Sequence, residues 1–172
     1  MTNWYTSDHH MDHANIIKLG DRPFKTRKEM EEKLIANHNE LVSPDDTVYI
    51  IGDFSFNDST KRKLFTKMNG NKILIKGNHD DVKSSNLLGC YVNILEKGIE
   101  LVHDPLDSSS RITIHGHEHN SGQRIRKQKN GRIFINVNVE HWDYKPVSEK
   151  QIIKLLKENG VVFRQPLKRK LQ

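Results

Sequence analysis

Histidine, aspartate and asparagine recur in short polar clusters of this sequence, each directly after a run of apolar residues. The clusters read "SDHH" at 7–10, "GD" at 52–53, "GNHD" at 77–80, "VHDP" at 102–105 and "HGHEH" at 115–119. Imidazole and carboxylate together suit divalent ions such as Mn, Fe, Co, Ni and Zn, whereas Mg or Ca would call for mostly oxygen ligands. The clusters therefore predict a transition-metal site.

The spacing inside two clusters supports that prediction. Asp8 and His10 are separated by one residue, as are His117 and His119, and alternate residues of an extended segment point to the same side. Each pair could therefore bind one ion or two neighbouring ions. The collected side chains are two carboxylates, one amide and five imidazoles: Asp8, His10, Asp53, Asn78, His79, His103, His117 and His119.

The apolar runs before the clusters are rich in Val, Ile, Tyr and Thr and mostly end at glycine or proline, which is typical of strands. We predict five such strands, at 3–10, 46–55, 71–80, 98–105 and 110–119. A later strand at 132–140 is expected to pair with 111–116 across the basic loop between them.

Three stretches carry the capping residues and apolar stripes of helices, at 26–43, 57–70 and 148–160. Strands alternating with helices predict an α/β layered fold. In open sheets of this class the ligand site lies beyond the carboxyl ends of the strands, which is where the polar clusters would converge.

Length and composition set the wider expectations. The 172 residues fit one domain, with residues 1–172 forming a single unit. The sequence contains neither an apolar run approaching the ~20 residues of a spanning helix nor a recognisable secretory signal. Its single cysteine, Cys90, is predicted to be a small core residue. We therefore expect a cytoplasmic protein without a membrane partner. The net charge of +6 favours anionic partners, namely phosphate esters, nucleotides or nucleic acid.

The ordered pattern "D-x-H … GD … GNHD … H … GHEH", over residues 8–119, resembles the calcineurin-like metallophosphoesterase superfamily. The segments "SDHHMDHANII", "RPF" and "WDYKPVS" are similar to its small bacterial and phage-type members, so the resemblance runs from Asp8 to Ser148. It implies a four-layer αββα sandwich of two mixed β-sheets flanked by helices, with two metal ions at the strand ends.

The resemblance also implies a role for each residue. Two divalent transition-metal ions, with Mn preferred over Fe, Ni, Co or Zn, would lie ~3.5 to 4 Å apart and share an anionic ligand. A hydroxide between the ions would attack phosphorus, and His79 would protonate the leaving oxygen. The first ion would be bound by Asp8, His10 and His119. The second would be bound by Asn78, His103 and His117, and both ions would be bound by Asp53. These roles predict a metal-dependent phosphoesterase that hydrolyses phosphodiesters or nucleotide-type phosphate esters.

Two further residues are candidates for substrate contact. His13 could approach substrate, but it could equally orient a ligand or cap a helix. Arg22 in "DRPF" could contact a substrate phosphate. The basic loop from Arg124 to Arg132 could bind a nucleic-acid backbone, yet it lacks interleaved aromatic residues, so a solvated hairpin is favoured.

Some features depart from the pattern. In the protein-phosphatase branch an acid three residues after the bridging aspartate steadies the catalytic histidine, and here that position is Phe56. Asp58 or Asp80 could compensate. Asp104 also stands where many relatives have an aromatic residue. Phe56 argues against a protein phosphatase, and Asp104 predicts an unusual pocket wall.

Other interpretations of the same residues remain open. "HGHEH" also fits the H-x-x-E-H pattern of zinc proteases, which needs a helix; Gly116 and the preceding strand argue against one. His115 would then be a strand residue without ligation, and Glu118 a loop residue. At the level of function, the alternatives are a metallophosphoesterase fold kept as a non-catalytic metal-binding scaffold, and a basic nucleic-acid-binding protein.

Overall fold

Eight short strands form two four-stranded sheets in residues 1–80 and 99–162, the parts of the chain that the computed structural model describes. The first sheet has the order β3-β2-β1-β8. Strands β3, β2 and β1 are parallel, with Tyr5 opposite Tyr49 and Ile50 opposite Leu74, and the edge strand β8 is antiparallel to β1. The strands are β1 (Asn3–Thr6), β2 (Thr47–Ile51), β3 (Asn71–Ile75) and β8 (Val147–Ser148).

The second sheet has the order β4-β5-β7-β6. Its strands are β4 (Ile99–Leu101), β5 (Ile112–His115), β6 (Ile125–Lys127) and β7 (Ile133–Asn136). The predicted pairing of β5 with the later strand is present but parallel, because the basic loop itself contains β6, which forms the antiparallel hairpin with β7. Both sheets are mixed, so the α/β class is confirmed.

The described residues form four α-helices, of which the first three connect strands and the fourth follows β8: α1 (Ile16–Leu19), α2 (Arg27–Leu41), α3 (Asp58–Phe65) and α4 (Glu149–Glu158). The side chains of Thr26, Asn57 and Ser148 accept backbone N–H groups at the starts of the three longer helices, which satisfies donors that lack a partner within the helix. Helices α2, α3 and α4 confirm the three predicted helices, although α3 ends at Phe65 and not at the predicted Gly70. None of the described helices is long and apolar enough to cross a bilayer.

Alternating side chains of the first sheet point to opposite faces and pack into two separate hydrophobic cores. Ile51 and Tyr5 belong to a cluster shared with the second sheet and with α4, whereas Ile50 and Val48 pack on the opposite face against α2 and α3. This alternation is the period of two expected of strands. The described residues thus show two packed sheets with helices on the outer face of the first.

Three arginines of the basic loop pack on aromatic rings of the same chain, although much of the loop is exposed. The guanidinium groups of Arg126 and Arg132 lie over the ring of Phe134, at 5.0 and 4.7 Å from its centroid. Arg124 lies 4.4 Å from the Trp142 ring, and its Nη2 donates to the His141 carbonyl. The predicted hairpin is thus present as β6 and β7, and whether the loop contacts nucleic acid stays a prediction. Cys90 is predicted to be a core residue, and the C-terminal residues 166–172 are predicted to be frayed. Both lie outside the described residues.

The fully buried Ile135 on β7 tests the packing between the sheets. Because Ile135→Ala leaves a cavity at the shared core, it is expected to lower the free energy of unfolding by about 2 to 5 kcal/mol, measured by urea denaturation. Ile135→Val should cost about 0.5 to 1.5 kcal/mol. Leu106→Ala, at a side chain that is 88% exposed, should change stability by less than about 0.5 kcal/mol. Equal effects at positions 106 and 135 would contradict this core assignment.

Candidate metal centre

The polar clusters follow the carboxyl ends of β1 to β5. Because β1, β2 and β3 run parallel in one sheet and β4 and β5 run parallel in the other, their following loops meet at one edge of the packed sheets. All seven of the side chains predicted as ligands come together there, in two groups of atoms. They are Asp8 and His10 after β1, Asp53 after β2, Asn78 after β3, His103 after β4, and His117 and His119 after β5.

The backbone at this edge is left-handed rather than extended. Asp8, His10, Asp53, His117 and His119 have φ angles between 43° and 69°. A residue with a Cβ atom pays roughly 1 to 2 kcal/mol for this conformation, although Asp and His adopt it more readily than most. The expectation that extended alternation aligns the Asp-x-His and His-x-His pairs was therefore wrong. Left-handed turns direct these side chains to the centre, and such strain is found mainly at functional sites.

The first group of ligand atoms surrounds one point. The Nε2 atoms of His10 and His119 are 3.1 Å apart, and they lie 3.9 and 3.7 Å from Asp8 Oδ1. His10 Nε2 is also 3.7 Å from Asp53 Oδ2. Ligand atoms that share a first-row ion at ~2.0 to 2.2 Å lie about 3 to 3.5 Å from one another. This group therefore fits one ion with only slight contraction.

The second group is equally close. His103 Nε2 and His117 Nδ1 are 3.3 Å apart, and they lie 2.9 and 3.1 Å from Asn78 Oδ1. Asp53 Oδ2 lies 3.3 Å from His103 Nε2. The same carboxylate oxygen of Asp53 therefore faces both groups, which is the position of a shared anionic ligand.

Outer hydrogen bonds select which histidine nitrogen faces each group. His103 Nδ1 donates to the Ile51 carbonyl at 3.0 Å, and His119 Nδ1 donates to Glu140 Oε1 at 3.1 Å. In the neutral form of each ring, which has one proton, these bonds place that proton on Nδ1 and direct the Nε2 lone pair at the centre. His117 has the reverse orientation, since its Nε2 lies 3.7 Å from Asp104 Oδ2 and its Nδ1 faces the second group. Asp104 is thus an outer partner of a candidate ligand.

The electrostatic field at the centre favours a cation. Burial lowers the pKa of His10 to about 2, so its imidazole is neutral at pH 7. Burial also disfavours the charged form of His103, but the carboxylates of Asp53 and Asp8 outweigh it and raise the His103 pKa to about 9. The anionic surroundings that raise the His103 pKa stabilise positive charge at the centre, and a metal ion bound there would have to displace this proton.

Glu140 is a functional residue that the sequence analysis missed. Its Oε1 accepts from Arg22 Nε at 2.8 Å and Nη2 at 2.6 Å, besides His119. Arg22 and Glu140 are 118 positions apart in the chain, and no motif marks Glu140. A single sequence therefore carries no signal for their pairing.

The predicted contact between Arg22 and a substrate phosphate is wrong. The Arg22 side chain is fully buried, and its Nη1 and Nη2 donate to the carbonyls of His9 and Asp8 at 2.8 and 2.6 Å. These bonds leave the guanidinium beneath the loop that carries Asp8, where it supports the turn and pairs with Glu140. His9 points away from the centre, as expected, and packs against Phe54.

Asp80 joins two of the loops. Its carboxylate accepts the backbone N–H groups of Asp53 at 2.8 Å, Gly77 at 2.9 Å and Phe54 at 3.2 Å. Gly77 is required at this approach, because a Cβ atom there would lie 2.1 Å from Asp53 Oδ1. Asp80 therefore positions the loops through their backbone. The side chain of Asp58, the other acid considered for support, lies outside the described part of the chain.

His79 stands beside the first group with an exposed side chain. Its ring centroid is 5.5 Å from that of His10 and 5.0 Å from that of Phe56, which it meets edge to face. Phe56 in turn packs against His13 at 4.7 Å. An aromatic ring thus occupies the place of the acid found in the protein-phosphatase branch, and the roles of His79 and His13 toward substrate stay predictions.

The zinc-protease interpretation of "HGHEH" is excluded by the local structure. His115 ends β5, and His119 begins a 3-10 turn of three residues, so the two do not share an α-helix. His115 Nδ1 donates to the neighbouring Gly116 carbonyl. Glu118 pairs with Arg126 at 3.0 Å, which leaves it as a loop residue.

Comparison with known proteins finds relatives whose printed names assign no activity. The chain is 39% identical over 168 residues to uncharacterized protein MJ1445 of Methanocaldococcus jannaschii, covering 91% of this chain and 92% of that protein. It is 32% identical over 103 residues to the Gene 66 protein of Mycobacterium phage L5, covering 54% and 49% of the two chains. The crystal structure of AQ665 from Aquifex aeolicus, a protein of unknown function, has a TM-score of 0.68 and 28% identity over 90% of this chain and 98% of that one. No family model matches the sequence.

Substitution of Glu140 tests whether the outer hydrogen bonds support a metal site. Glu140→Gln is expected to weaken Mn²⁺ binding by about 10- to 100-fold, because His119 loses its charged acceptor and Arg22 loses its counter-ion. Isothermal titration of the folded, chelator-stripped protein measures this. Glu118→Gln is the matched control, since Glu118 lies between two candidate ligands but pairs with Arg126. Equal affinities for wild type and Glu140→Gln would show that Glu140 supports only the fold.

Proposed function

Starting from the membership of this chain in the family of the Methanocaldococcus jannaschii protein MJ1445, we propose that it is a dinuclear metal-dependent phosphoesterase of the calcineurin-like superfamily, acting on phosphodiesters or nucleotide-type phosphate esters. One observation carries the proposal. Two groups of ligand atoms meet at a single carboxylate oxygen, Asp53 Oδ2, with the imidazole of His79 beside them.

The ligand atoms define which ions would bind and where. The first ion would be held by Asp8, His10 and His119, the second by Asn78, His103 and His117, and Asp53 would contact both. Mixed nitrogen and oxygen ligands suit Mn²⁺, with Fe, Co, Ni or Zn as alternatives. Bound there, the ions would supply Lewis-acid activation of a water molecule and neutralise charge on the phosphoryl oxygens.

The protein residues account for the remaining steps. The charges of Asp8 and Asp53 do not cancel those of two dications, so the loaded centre attracts a phosphate anion. His79 is exposed next to the first group, where it can donate a proton to the leaving oxygen or bind the phosphoryl group. Asp53 Oδ1 accepts the His79 backbone N–H at 2.9 Å, which fixes the loop that presents the imidazole.

The fold of the superfamily is part of the proposal. Two mixed sheets packed face to face, with α2 and α3 on the outer face of the first sheet, supply three layers in the described residues. A helical layer on the outer face of the second sheet would complete the four-layer αββα sandwich. Phe56 beside His79 favours small phosphate esters over phosphoproteins, because no acid occupies that position.

Metal-dependent turnover tests the centre. Chelator-stripped protein is expected to hydrolyse bis(p-nitrophenyl) phosphate or p-nitrophenyl phosphate only after Mn, Co, Ni, Fe or Zn is added. Asp53→Asn should abolish this turnover, because the shared ligand loses its charge. Asp45→Asn is the control, because this exposed carboxylate precedes β2 and Asp53 follows the opposite end of that strand. Stoichiometric metal binding without turnover of either ester would favour the scaffold alternative.

His79→Ala separates proton donation from metal binding. It should lower kcat by about 10²- to 10⁴-fold for an ester with an alkyl leaving group, while titrated Mn²⁺ affinity stays at the wild-type value. The loss should be smaller for p-nitrophenyl esters, because p-nitrophenolate departs without a proton. An identical loss for both leaving groups would rule out general-acid catalysis by His79.

A further inference from the structure

Two hollows adjoin the candidate centre, one next to each group of ligand atoms. The first hollow, of about 440 Å³, is bordered by the first-group ligands His10 and His119, and its remaining wall includes His13, Ile16, Leu19, His79, Asn120 and Ser121. The second hollow, of about 430 Å³, is bordered by the second-group ligands Asn78 and His103, and its remaining wall includes Ile75, Lys76, Leu101, Val102, Asp104 and Asp107. His117 borders both, so they meet at the centre.

We infer that the substrate is a phosphodiester with one substituent in each hollow, an inference that rests on the proposed phosphoesterase function. A phosphoryl group at the centre directs its two ester oxygens apart, and each hollow has the size of a small-molecule pocket. A phosphomonoester would fill one hollow and leave the other to solvent. Occupation of both therefore gives a diester additional binding contacts.

The position of His79 identifies the leaving side. His79 borders the first hollow and not the second, so the departing alcohol occupies the first hollow. In hydrolysis the water oxygen forms a bond to phosphorus and the P–O bond to the leaving group breaks. The leaving oxygen takes a proton from His79, which regains one from the water. The products are an alcohol in the first hollow and a phosphomonoester whose remaining substituent lies in the second.

The walls of the second hollow define the substituent that stays on phosphorus. Ile75, Leu101 and Val102 give it an apolar floor, while Asp104, Asp107 and Lys76 supply charge. The two carboxylates can accept hydrogen bonds from hydroxyl or amino groups, and together they outweigh the single lysine. An uncharged group with an apolar face and polar edges, such as a nucleoside, fits this hollow, whereas a group with its own phosphate is repelled.

Filling each hollow separately tests the inference. Asp107→Trp and Lys76→Trp should each lower the ratio of kcat/KM for bis(p-nitrophenyl) phosphate to that for p-nitrophenyl phosphate by at least about tenfold in the Mn²⁺-loaded protein. Leu19→Trp, at the mouth of the first hollow, should slow both esters and keep the ratio. Leu106→Trp is the control, because Leu106 is exposed next to Asp107 and is not part of the wall.

The charge of the retained substituent is tested with a second pair of substrates. Thymidine 5′-(p-nitrophenyl phosphate) should be hydrolysed at least about fivefold faster than the same ester carrying a 3′-phosphate. Equal rates for the two esters would overturn the inference that the substituent retained on phosphorus is uncharged.

The outcomes separate this inference from the proposed function. Turnover of both esters with an unchanged ratio in Asp107→Trp and Lys76→Trp would overturn the two-hollow arrangement and leave the phosphoesterase in place. No turnover of any ester by wild type, with any of the five metals, would overturn the proposed function and this inference with it. Circular dichroism and Mn²⁺ titration show that each variant is folded and loaded.

Discussion

Left-handed backbone at five candidate ligand positions is the constraint on which the architecture of this edge depends. Each such turn is less stable than an extended one by an amount that the surrounding contacts must offset. Asp80 accepts four backbone N–H groups of two loops, and Arg22 donates to two carbonyls of a third. Gly77 and Gly116 allow the loops to approach, since a Cβ atom at Gly116 would lie 2.2 Å from Asp8 Oδ2. The centre is therefore preorganised by residues that are not ligands.

The same residues control the charge of the centre. Arg22 would place a buried positive charge directly under Asp8, but Glu140 neutralises it at 2.6 Å. The carboxylates of Asp8 and Asp53 consequently remain available to cations rather than to a neighbouring guanidinium. A buried ion pair of this kind contributes little net stability, so its value lies in fixing the orientation of His119 and the sign of the local field.

Much of this arrangement could be predicted from local sequence signals. Runs of β-branched residues ending in glycine identified the strands, and the rule that parallel strands present their carboxyl ends together brought Asp8, Asp53 and His103 to one place. Glu140 and the left-handed turns could not be predicted, because they depend on partners far along the chain. Arg22 was misassigned for the same reason. From the sequence alone, a basic residue near the predicted metal ligands suggests contact with a substrate phosphate. Only the structure shows that the groups to which Arg22 donates are buried in the protein.

The parallel register of β5 and β7 also depends on distant contacts. The sequence shows two apolar runs and a basic loop, which is equally compatible with a hairpin. In the structure β6 takes the antiparallel position beside β7, and its Arg126 packs over Phe134. Because β6 occupies one edge of β7, β5 pairs with the other edge and runs parallel to it.

The separation of Arg22 from Glu140 has a consequence for biosynthesis. During translation the first group of ligands remains incomplete until His119 has left the ribosome, and the support of that histidine arrives later still, with Glu140. A nascent chain carrying only Asp8 and His10 offers an ion two ligands on an unformed turn, and preformed metal sites are rare in unfolded chains. Any ion that this site takes up would therefore bind late, after most of the chain has been synthesised and the pocket is nearly complete.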